Sequence, residues 1–189
     1  MNHINSVALI GLGAIGCALA PRLLNALGAD NFRVIAGGER KKRLEQKGVC
    51  INGQIYRFPI VAPEEKGNPA DLAIVIVKET GLPQALEDLA NQIGDNTVIV
   101  SFMNGITSEE AIAKRFGQQK VIYGLTRKSV VMKDGVCSYD PQNGYFAFGE
   151  AHNETVSPRI RAMEELFQKA QIPYRVEKDM IRAFLRRFQ

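Results

Sequence analysis

Short apolar runs alternate with longer amphipathic runs along the first two thirds of the chain. The apolar runs at Val7–Ile10, 72–77 and 97–102 contain almost no polar positions, which is typical of strands buried on both faces of a parallel sheet. A helical pattern covers Ala14–Leu27, and Gly28 ends it. This alternation predicts an α/β fold, a Rossmann-like, doubly wound and mainly parallel sheet with its chemistry at the carboxyl ends of the strands.

The other segments extend the pattern and then change it. Further strands are predicted at 32–36 and 121–125, and helices at 40–47, 83–92 and from Ser108, which we interpret as the N-cap of an acidic first turn. Asn52 and Gly53 predict a hairpin over 49–58. Beyond residue 125 the pattern predicts an antiparallel extension and a closing αβα unit, with strands at 128–132, 136–139 and 145–148 and then segments 158–170, Tyr174–Val176 and 179–188.

A glycine-rich turn joins the first predicted strand to the first helix. Gly11, Gly13 and Gly16 have the Gly-x-Gly-x-x-Gly spacing, with Leu12, Ala14 and Ile15 between them. The first glycine permits a sharp turn, the second lets a pyrophosphate approach the backbone, and the third lets the helix pack closely on the strand. The N-terminus of the helix then offers N–H groups to the phosphates. The sequence therefore predicts a dinucleotide site over residues 11–16.

Composition narrows the classes of function. The chain has 189 residues and a formal net charge of +4, which is too small to indicate nucleic-acid binding but suits an anionic cofactor and substrate. We found no membrane segment or signal sequence, and we expect a cytoplasmic protein. The three cysteines lack metal-ligand spacing and are interpreted as buried apolar residues, so no metal is expected. His3 and His152 are expected at the surface.

Two polar residues follow predicted strands and are candidates for chemistry. Lys78 follows the strand at 72–77, where it could pair with a phosphate, donate to a ribose or amide oxygen, or orient a substrate carboxylate. Asn104 follows the strand at 97–102, and its amide can donate to and accept from a carboxamide or hydroxyl. A solvent-exposed lysine and a turn-forming Asn-Gly pair are the alternatives for these positions.

The end of the second strand bears on the choice of cofactor. A site for NAD typically has an acidic residue there, whereas a site for NADP has cationic groups for the 2′-phosphate. Here the strand ends without a carboxylate, and Arg40 and Lys41 follow closely. We expect these two side chains to bind a 2′-phosphate, which favours NADP(H) over NAD(H).

Several of these features occur together in one known family. They are the glycine turn, the Val77-Lys78 strand end, Phe102-Met103-Asn104-Gly105 followed by Glu109, the hairpin region at 135–149 and the closing stretch at 179–188. In this order and spacing the sequence resembles the ketopantoate reductase family (2-dehydropantoate 2-reductases). The resemblance covers essentially the whole chain, but only the first of the family's two domains and the start of the helix that links them.

The resemblance implies an activity and roles for the candidate residues. In this family NADPH delivers hydride to the ketone carbon of ketopantoate, which gives pantoate for pantothenate and coenzyme A synthesis. A lysine on the linking helix protonates the developing alkoxide, and a helical second domain completes the pocket for the 2-keto acid. By this resemblance Gly11, Gly13 and Gly16 hold the pyrophosphate, while Lys78 and Asn104 lie near the nicotinamide, the ribose and the substrate.

Three positions depart from the family pattern. Gly37 stands where the family usually has an arginine, so recognition of the 2′-phosphate would fall to Arg40 or Lys41. Met103 stands where a glutamine usually precedes the Asn-Gly pair. The catalytic lysine aligns with Arg187, which can orient a carboxylate but is a poor proton donor at neutral pH.

These departures shape the expected organisation and activity. Residues 1–177 are expected to form the NADP-binding domain and residues 178–189 the start of the linking helix, without the second domain. We therefore expect NADP(H) binding with little or no ketopantoate reduction by this truncated chain. The apolar positions of the tail, Met180, Ile181, Phe184, Leu185 and Phe188, predict a homodimer formed through this helix.

Two other interpretations stay open. One is another NADP-dependent hydroxyacid dehydrogenase, a class that also uses a lysine and an asparagine near the nicotinamide, although the hairpin after residue 125 argues against it. The other is a non-catalytic NADP(H)-binding or sensing module, which Arg187 and the missing second domain favour. Turnover of 2-keto acids distinguishes an enzyme from a binding module.

Overall fold

Strands and helices alternate along most of the protein, whose computed structural model describes residues 3–103 and 105–186. In chain order the strands are β1 (Val7–Ile10), β2 (Phe32–Ile35), β3 (Val49–Ile51), β4 (Gln54–Tyr56), β5 (Ile60–Val61), β6 (Leu72–Val75), β7 (Val98–Ser101), β8 (Val121–Arg127), β9 (Val131–Lys133), β10 (Val136–Ser138), β11 (Tyr145–Gly149) and β12 (Tyr174–Val176). The α-helices are α1 (Ala14–Leu27), α2 (Gly38–Lys47), α3 (Leu82–Leu89), α4 (Thr107–Phe116), α5 (Pro158–Lys169) and α6 (Met180–Leu185).

Eight strands form the main sheet in the order β12-β11-β8-β7-β6-β1-β2-β5. All neighbouring pairs in it are parallel except β11 with β8, which are antiparallel. The chain moves from β1 to β2 in one direction across the sheet, and later places β6 on the other side of β1. This is the Rossmann-like, mainly parallel sheet with an antiparallel extension that the sequence predicts, and β1 lies at its topological switch point.

Helices cover both faces of the main sheet because the central strands are apolar on both sides. On one face, Leu9 and Ile74 pack with α1 and α5, which contribute Leu19 and Phe167. On the other face, alternate residues of the same strands pack with α3 and α4, and Ile99 is fully buried there. All four residues of β1, β6 and β7 are buried, which explains why the sequence shows continuous apolar runs.

A second sheet joins two hairpins that are distant in sequence. Its order is β4-β3-β10-β9, with β3 and β10 paired in parallel and the other pairs antiparallel. The sequence predicts both hairpins but not their union. Cys137 and Ile51 are buried on its inner side, whereas Ile55, Val131 and Val136 are exposed. Residues near 50 and 137 are thus held beside the first turn of α1, where Cys137 Sγ lies 3.8 Å from the carbonyl oxygen of Ala14.

Several predicted boundaries are wrong by a few residues. The strand predicted to end at residue 77 ends at Val75, the strand predicted at 128–132 lies at Val131–Lys133, and the last inner strand continues to Arg127. The helix predicted to begin with Ser108 as its N-cap begins at Thr107. Ser108 is buried inside the first turn, because its hydroxyl bonds to buried partners rather than to the helix N-terminus.

The C-terminal helix packs on its own domain. Asp179 caps α6 by accepting a hydrogen bond from the backbone N–H of Arg182, at 2.8 Å. Met180 and Phe184, two of the five apolar tail positions, are buried against β8 and β11 and so already pack within this chain. Leu185 is 65% exposed. Arg187 and Phe188 lie outside the described residues, and dimerisation through this helix stays a prediction.

His3 and His152 lie at the surface, as the sequence predicts. Cys17 and Cys137 are buried free thiols, and Cys50 is half-buried. In the described part of the chain, no helix has the length and apolar character that crossing a bilayer requires.

Replacing Gly16 with alanine is expected to destabilise the fold. A Cβ at this position would collide with the carbonyl oxygen of Gly11, so α1 would have to move away from β1. We expect a loss of about 1–3 kcal/mol in the free energy of unfolding, measured by urea denaturation. The loss is expected even though alanine has a higher helix propensity than glycine, because the collision outweighs this gain. The matched control is Gly67→Ala, whose Cβ would meet no atom within 4 Å. Equal denaturation midpoints for both variants and the wild type would contradict the close approach.

Candidate functional site

The carboxyl ends of four neighbouring strands lie level at one edge of the main sheet. Ile10 of β1 pairs with Ile35 of β2 on one side and with Val75 of β6 on the other, and Val75 pairs with Ser101 of β7. The segments that follow these residues therefore meet at this edge. They carry the glycine turn, the start of α2, Lys78 and the turn before α4.

The three glycines of the turn play distinct geometric roles. Gly11 has a φ of +104°, and a Cβ on it would collide with the carbonyl oxygen of Ile76. Gly16 has no room for a side chain between α1 and Gly11, as described above. By contrast, a Cβ on Gly13 would meet no atom within 4 Å, because this residue faces open space. Two of the glycines thus build the turn, and the third leaves room beside it.

A cavity of about 900 Å³ opens beside Gly13. It lies between the ends of β1, β2 and β6, and α1, α2 and α3 form its remaining walls. This volume is within the range of small-molecule and cofactor sites. The first-turn N–H groups of α1 have no acceptors within the helix and carry the positive end of its dipole, next to Gly13 and Ala14 in the cavity wall. Together the open glycine and the helix N-terminus fit a pyrophosphate. The lining residues are Ile10, Gly11, Gly13, Ala14, Ile15, Ile35, Ala36, Gly37, Arg40, Pro63, Glu64, Ile76, Val77, Lys78, Thr80, Gly81, Gln84, Ala85 and Asp88.

The sequence predicts two cations for a 2′-phosphate after β2, and the structure places one of them in the cavity wall and the other outside it. Arg40 is exposed and lines the cavity. Lys41 is not among the lining residues, and its ammonium group donates to Glu65 Oε1 at 2.7 Å. This hydrogen bond raises the pKa of Lys41 and lowers the pKa of Glu65. The geometry therefore favours Arg40 over Lys41 as the ligand of an anion in the cavity.

A family comparison agrees with the glycine turn and the strand order. Residues 7–153 match the model of the family described as ketopantoate reductase PanE/ApbA. The chain belongs to the ketopantoate reductase family. The match covers β1 to β11 and therefore includes every element that lines the cavity.

Similar proteins support the same assignment and are longer than this chain. The uncharacterized oxidoreductase YkpB of Bacillus subtilis is 27% identical over 186 residues, and the alignment covers 94% of this chain and 60% of that protein. A 2-dehydropantoate 2-reductase of Streptococcus pyogenes is 26% identical over 127 residues, covering 64% of this chain and 40% of the relative. The chain thus spans at most about 60% of the length of these two relatives.

Solved structures share the fold of this ketopantoate reductase family member. The 2-dehydropantoate 2-reductase of Geobacter metallireducens superposes with a TM-score of 0.78 at 22% identity, over 96% of this chain and 61% of that one. A D-mandelate dehydrogenase determined with NADH and anilino(oxo)acetate superposes with a TM-score of 0.81 at 20% identity, over 96% of this chain and 60% of that one.

Some of the predicted site residues lie in the cavity wall, some lie behind it, and two lie outside the described residues. Gly11, Gly13 and Lys78 line the cavity, and Lys78 is exposed beyond the end of β6. Leu12 and Gly16 are buried behind the turn rather than in the cavity wall. Asn104 and Arg187 lie outside the described residues. The proposed binding and catalytic roles of all these residues stay predictions.

Sequence reasoning missed the acidic and polar side chains of the cavity. Glu64 precedes Glu65 in the loop after β5, and Gln84 and Asp88 project from α3. The signal for the α3 pair was present, because Leu82, Ala85, Leu86 and Leu89 form the buried stripe and positions 84 and 88 therefore share another face, one turn apart. No local signal marks Glu64, since only the tertiary fold brings its loop to α2.

A buried polar cluster lies at the junction of β7, α4 and β8, and its residues do not line the cavity. Glu109 is 2% exposed, and Ser108 Oγ donates to its Oε2 at 2.7 Å. Burial raises the pKa of Glu109 to about 7. The hydrogen bonds from Ser108 and from the backbone N–H groups of Glu109 and Gly124 act in the opposite direction and lower this pKa. Among the residues that the structure describes, Oε1 of this carboxylate has no hydrogen-bond partner. The cluster therefore holds a carboxylate that ionises near neutral pH.

Glu109→Gln is expected to stabilise the fold in a pH-dependent way. The folded-state pKa of about 7 lies above the ordinary 4.5, so the folded protein retains a proton that the unfolded chain releases between these values. The free energy of unfolding therefore falls as pH rises from about 4.5 to 7, and glutamine removes this loss. We expect the variant to be about 3 kcal/mol more stable than the wild type at pH 8, and nearly equal at pH 4, in urea denaturation.

The control for this measurement is Glu110→Gln, on the exposed side of the same helical turn. It should preserve the fall in stability with rising pH and move its midpoint only slightly downward, because Glu110 is the last of the causes that raise the pKa of Glu109. An identical pH profile for Glu109→Gln and the wild type would contradict ionisation of a buried carboxylate at position 109.

Proposed function

We propose that the chain binds NADP(H) in the cavity beside Gly13 and forms the cofactor half of an oxidoreductase that reduces a 2-keto acid, with 2-dehydropantoate as the substrate and pantoate as the product. The observation that carries the proposal is the cavity itself, where an open glycine, a helix N-terminus and Arg40 line one continuous space. Membership in the ketopantoate reductase family supports the reaction class.

The choice of NADP(H) over NAD(H) rests on the wall after β2. No carboxylate occupies the end of that strand, where a 2′-hydroxyl would require an acceptor, and Ala36 and Gly37 line the cavity instead. Arg40 has no ion pair or side-chain hydrogen bond within the described residues, so its guanidinium can form a bidentate pair with a phosphate. Lys41 stays with Glu65 in this proposal.

Different residues along the cavity are proposed to contact different parts of the cofactor and the substrate. Gly13 leaves room for the pyrophosphate, and the first turn of α1 donates N–H groups to it. When bound, NADPH supplies a hydride to the ketone carbon of the substrate. Lys78 lies in the wall that β6 contributes, where its ammonium group can donate to a ribose hydroxyl or hold the carboxylate of a 2-keto acid. Asn104 and Arg187 are proposed to orient the nicotinamide and the substrate, on the resemblance alone.

A second candidate is the reduction of a different 2-keto acid. The fold is shared with a D-mandelate dehydrogenase determined with NADH, and Glu64 brings a carboxylate to the cavity that could accept from a ribose hydroxyl. Comparing 2-dehydropantoate with phenylglyoxylate, and NADPH with NADH, separates the two candidates. Homodimerisation is proposed separately, on the exposure of Leu185 beside the buried face of α6.

The Gly13→Val variant tests the site of cofactor binding. Its side chain would enter the cavity where the pyrophosphate is proposed to lie, and its Cβ would meet no protein atom within 4 Å. We expect fluorescence titration to show NADPH binding to the wild type and none to the variant, with unchanged circular dichroism and thermal unfolding. Ketopantoate turnover, followed as NADPH oxidation in the same cuvette, then distinguishes an active reductase from a binding module. Equal NADPH affinity in both proteins would refute the assigned site.

Arg40→Ala tests the choice between the two nucleotides. Loss of a charge-assisted contact to the 2′-phosphate is expected to weaken NADPH binding by about 10- to 100-fold, and NADH binding by less than about twofold. The matched control is Arg43→Ala, since Arg43 is exposed on the same helix but does not line the cavity. Equal losses for NADPH and NADH would argue against recognition of the 2′-phosphate by Arg40.

A further inference from the structure

A chain of hydrogen bonds runs from the turn before α4 into the protein interior. It begins at the backbone N–H of Met103, which donates to Ser101 Oγ at 3.2 Å. Ser101 Oγ lies 2.8 Å from Ser108 Oγ, and Ser108 Oγ lies 2.7 Å from Glu109 Oε2. The side chains of Ser101, Ser108 and Glu109 belong to residues that are at most 2% exposed. The backbone of Met103, directly after β7, is thereby connected to a buried carboxylate.

The hydrogen bonds of this chain have one possible direction when Glu109 is ionised. A carboxylate only accepts, so the single hydroxyl hydrogen of Ser108 points to Glu109. Ser108 must then accept from Ser101, and Ser101 accepts in turn from Met103. Every donor therefore points toward the carboxylate, and its negative charge strengthens the bond that Ser108 makes.

Structural stability alone does not account for a carboxylic acid at this position. Burial disfavours its ionised form, and a glutamine of the same shape could accept from Ser108 without a charge. A negative charge in the first turn of α4 is favourable, but Glu110 supplies it from an exposed position. A buried ionisable group that lowers stability when it is charged, near the carboxyl-terminal edge of the main sheet, is a functional candidate.

We propose that Glu109 is a positioning residue, which acts through Ser108 and Ser101 to fix the backbone at Met103, in the turn before α4 at the carboxyl-terminal edge of the main sheet. The role in cofactor binding rests on the function proposed above. The ionised carboxylate holds the turn, and protonation exchanges the charge-assisted bond from Ser108 for a weaker neutral one. Glutamine at position 109 mimics the protonated state.

Other ionisable groups near Glu109 act on it weakly or not at all. Glu110 raises its pKa by charge repulsion and is the one charged neighbour whose effect is resolved within the described residues. β7 carries no ionisable side chain. The ionisable residues of the other elements packed around α4 and of its own last turn are Glu87, Asp88, Lys114, Arg115, Lys120, Tyr123 and Arg127.

The test follows the turn and the cofactor separately in the 189-residue chain. Backbone amide signals of Met103 and Gly105 are recorded by ¹⁵N–¹H NMR from pH 5.5 to 8.5, and the dissociation constant of NADPH is measured by fluorescence over the same range. We expect both amide signals to shift with a midpoint near pH 7, and NADPH to bind about fivefold more weakly at pH 5.5 than at pH 8.5.

Two variants isolate the carboxylate. Glu109→Gln should abolish the amide shifts and bind NADPH at pH 8.5 as weakly as the wild type does at pH 5.5. Glu110→Gln should keep both effects, with a midpoint slightly below that of the wild type. Ionisation of the nucleotide's own phosphate is common to all these proteins and cancels in the comparison. Ser108→Ala interrupts the chain and keeps the carboxylate, so it should also abolish the amide shifts.

The possible outcomes separate this inference from the proposed function. Amide signals that do not shift with pH, or that shift equally in Glu109→Gln or Ser108→Ala, overturn the positioning role. An NADPH affinity that binding assays find independent of pH, while the amides titrate, overturns it as well. Absence of NADPH binding at every pH refutes the proposed function, and the amide signals still decide whether Glu109 fixes the turn.

Discussion

The close approach of α1 to β1 is the constraint on which the site depends. Gly16 has no room for a Cβ because the carbonyl oxygen of Gly11 lies against it, and this contact brings the first turn of the helix to the end of the central strand. Gly13, Ala14 and Ile15, where the helix begins, consequently border the cavity. A side chain at Gly16 would move the helix away, and with it the positive end of its dipole. Close packing of α1 therefore fixes where the helix N-terminus meets the cavity.

The main sheet could be predicted from the sequence because its central strands are buried on both faces. Continuous apolar runs mark β1, β6 and β7. The predicted ends of these strands differ from the observed ends by at most two residues, because burial continues into neighbouring residues outside the strands. The second sheet could not be predicted in the same way. Its two hairpins are marked by their turns, but β3 and β10 pair across more than 80 residues, and no local pattern encodes that register.

Errors at the site have the same physical origin, since a partner from another part of the chain changes what a side chain does. Lys41 and Arg40 look equivalent in sequence. Glu65, from the loop after β5, forms an ion pair with the first of these two cations and leaves the second facing the cavity. Serine is a common N-cap residue, but the Ser108 hydroxyl instead forms hydrogen bonds in the interior with the hydroxyl of Ser101 and the carboxylate of Glu109. Gly16 was predictable because Gly11, five residues earlier in the same motif, sets its role, although Gly11 is itself restricted by Ile76, which follows a strand distant in sequence.

The charges in the cavity argue that position, rather than net charge, selects the ligand. Arg40 and Lys78 line it together with Glu64 and Asp88, so the formal charges of its wall cancel. An even distribution of these charges would give an anionic dinucleotide no net attraction. The cations, however, follow β2 and β6, on opposite sides of the glycine turn, and each can meet a different anionic group of an extended ligand. The acidic residues would oppose an anion placed elsewhere, so the cavity favours a ligand whose anionic groups match the positions of its two cations.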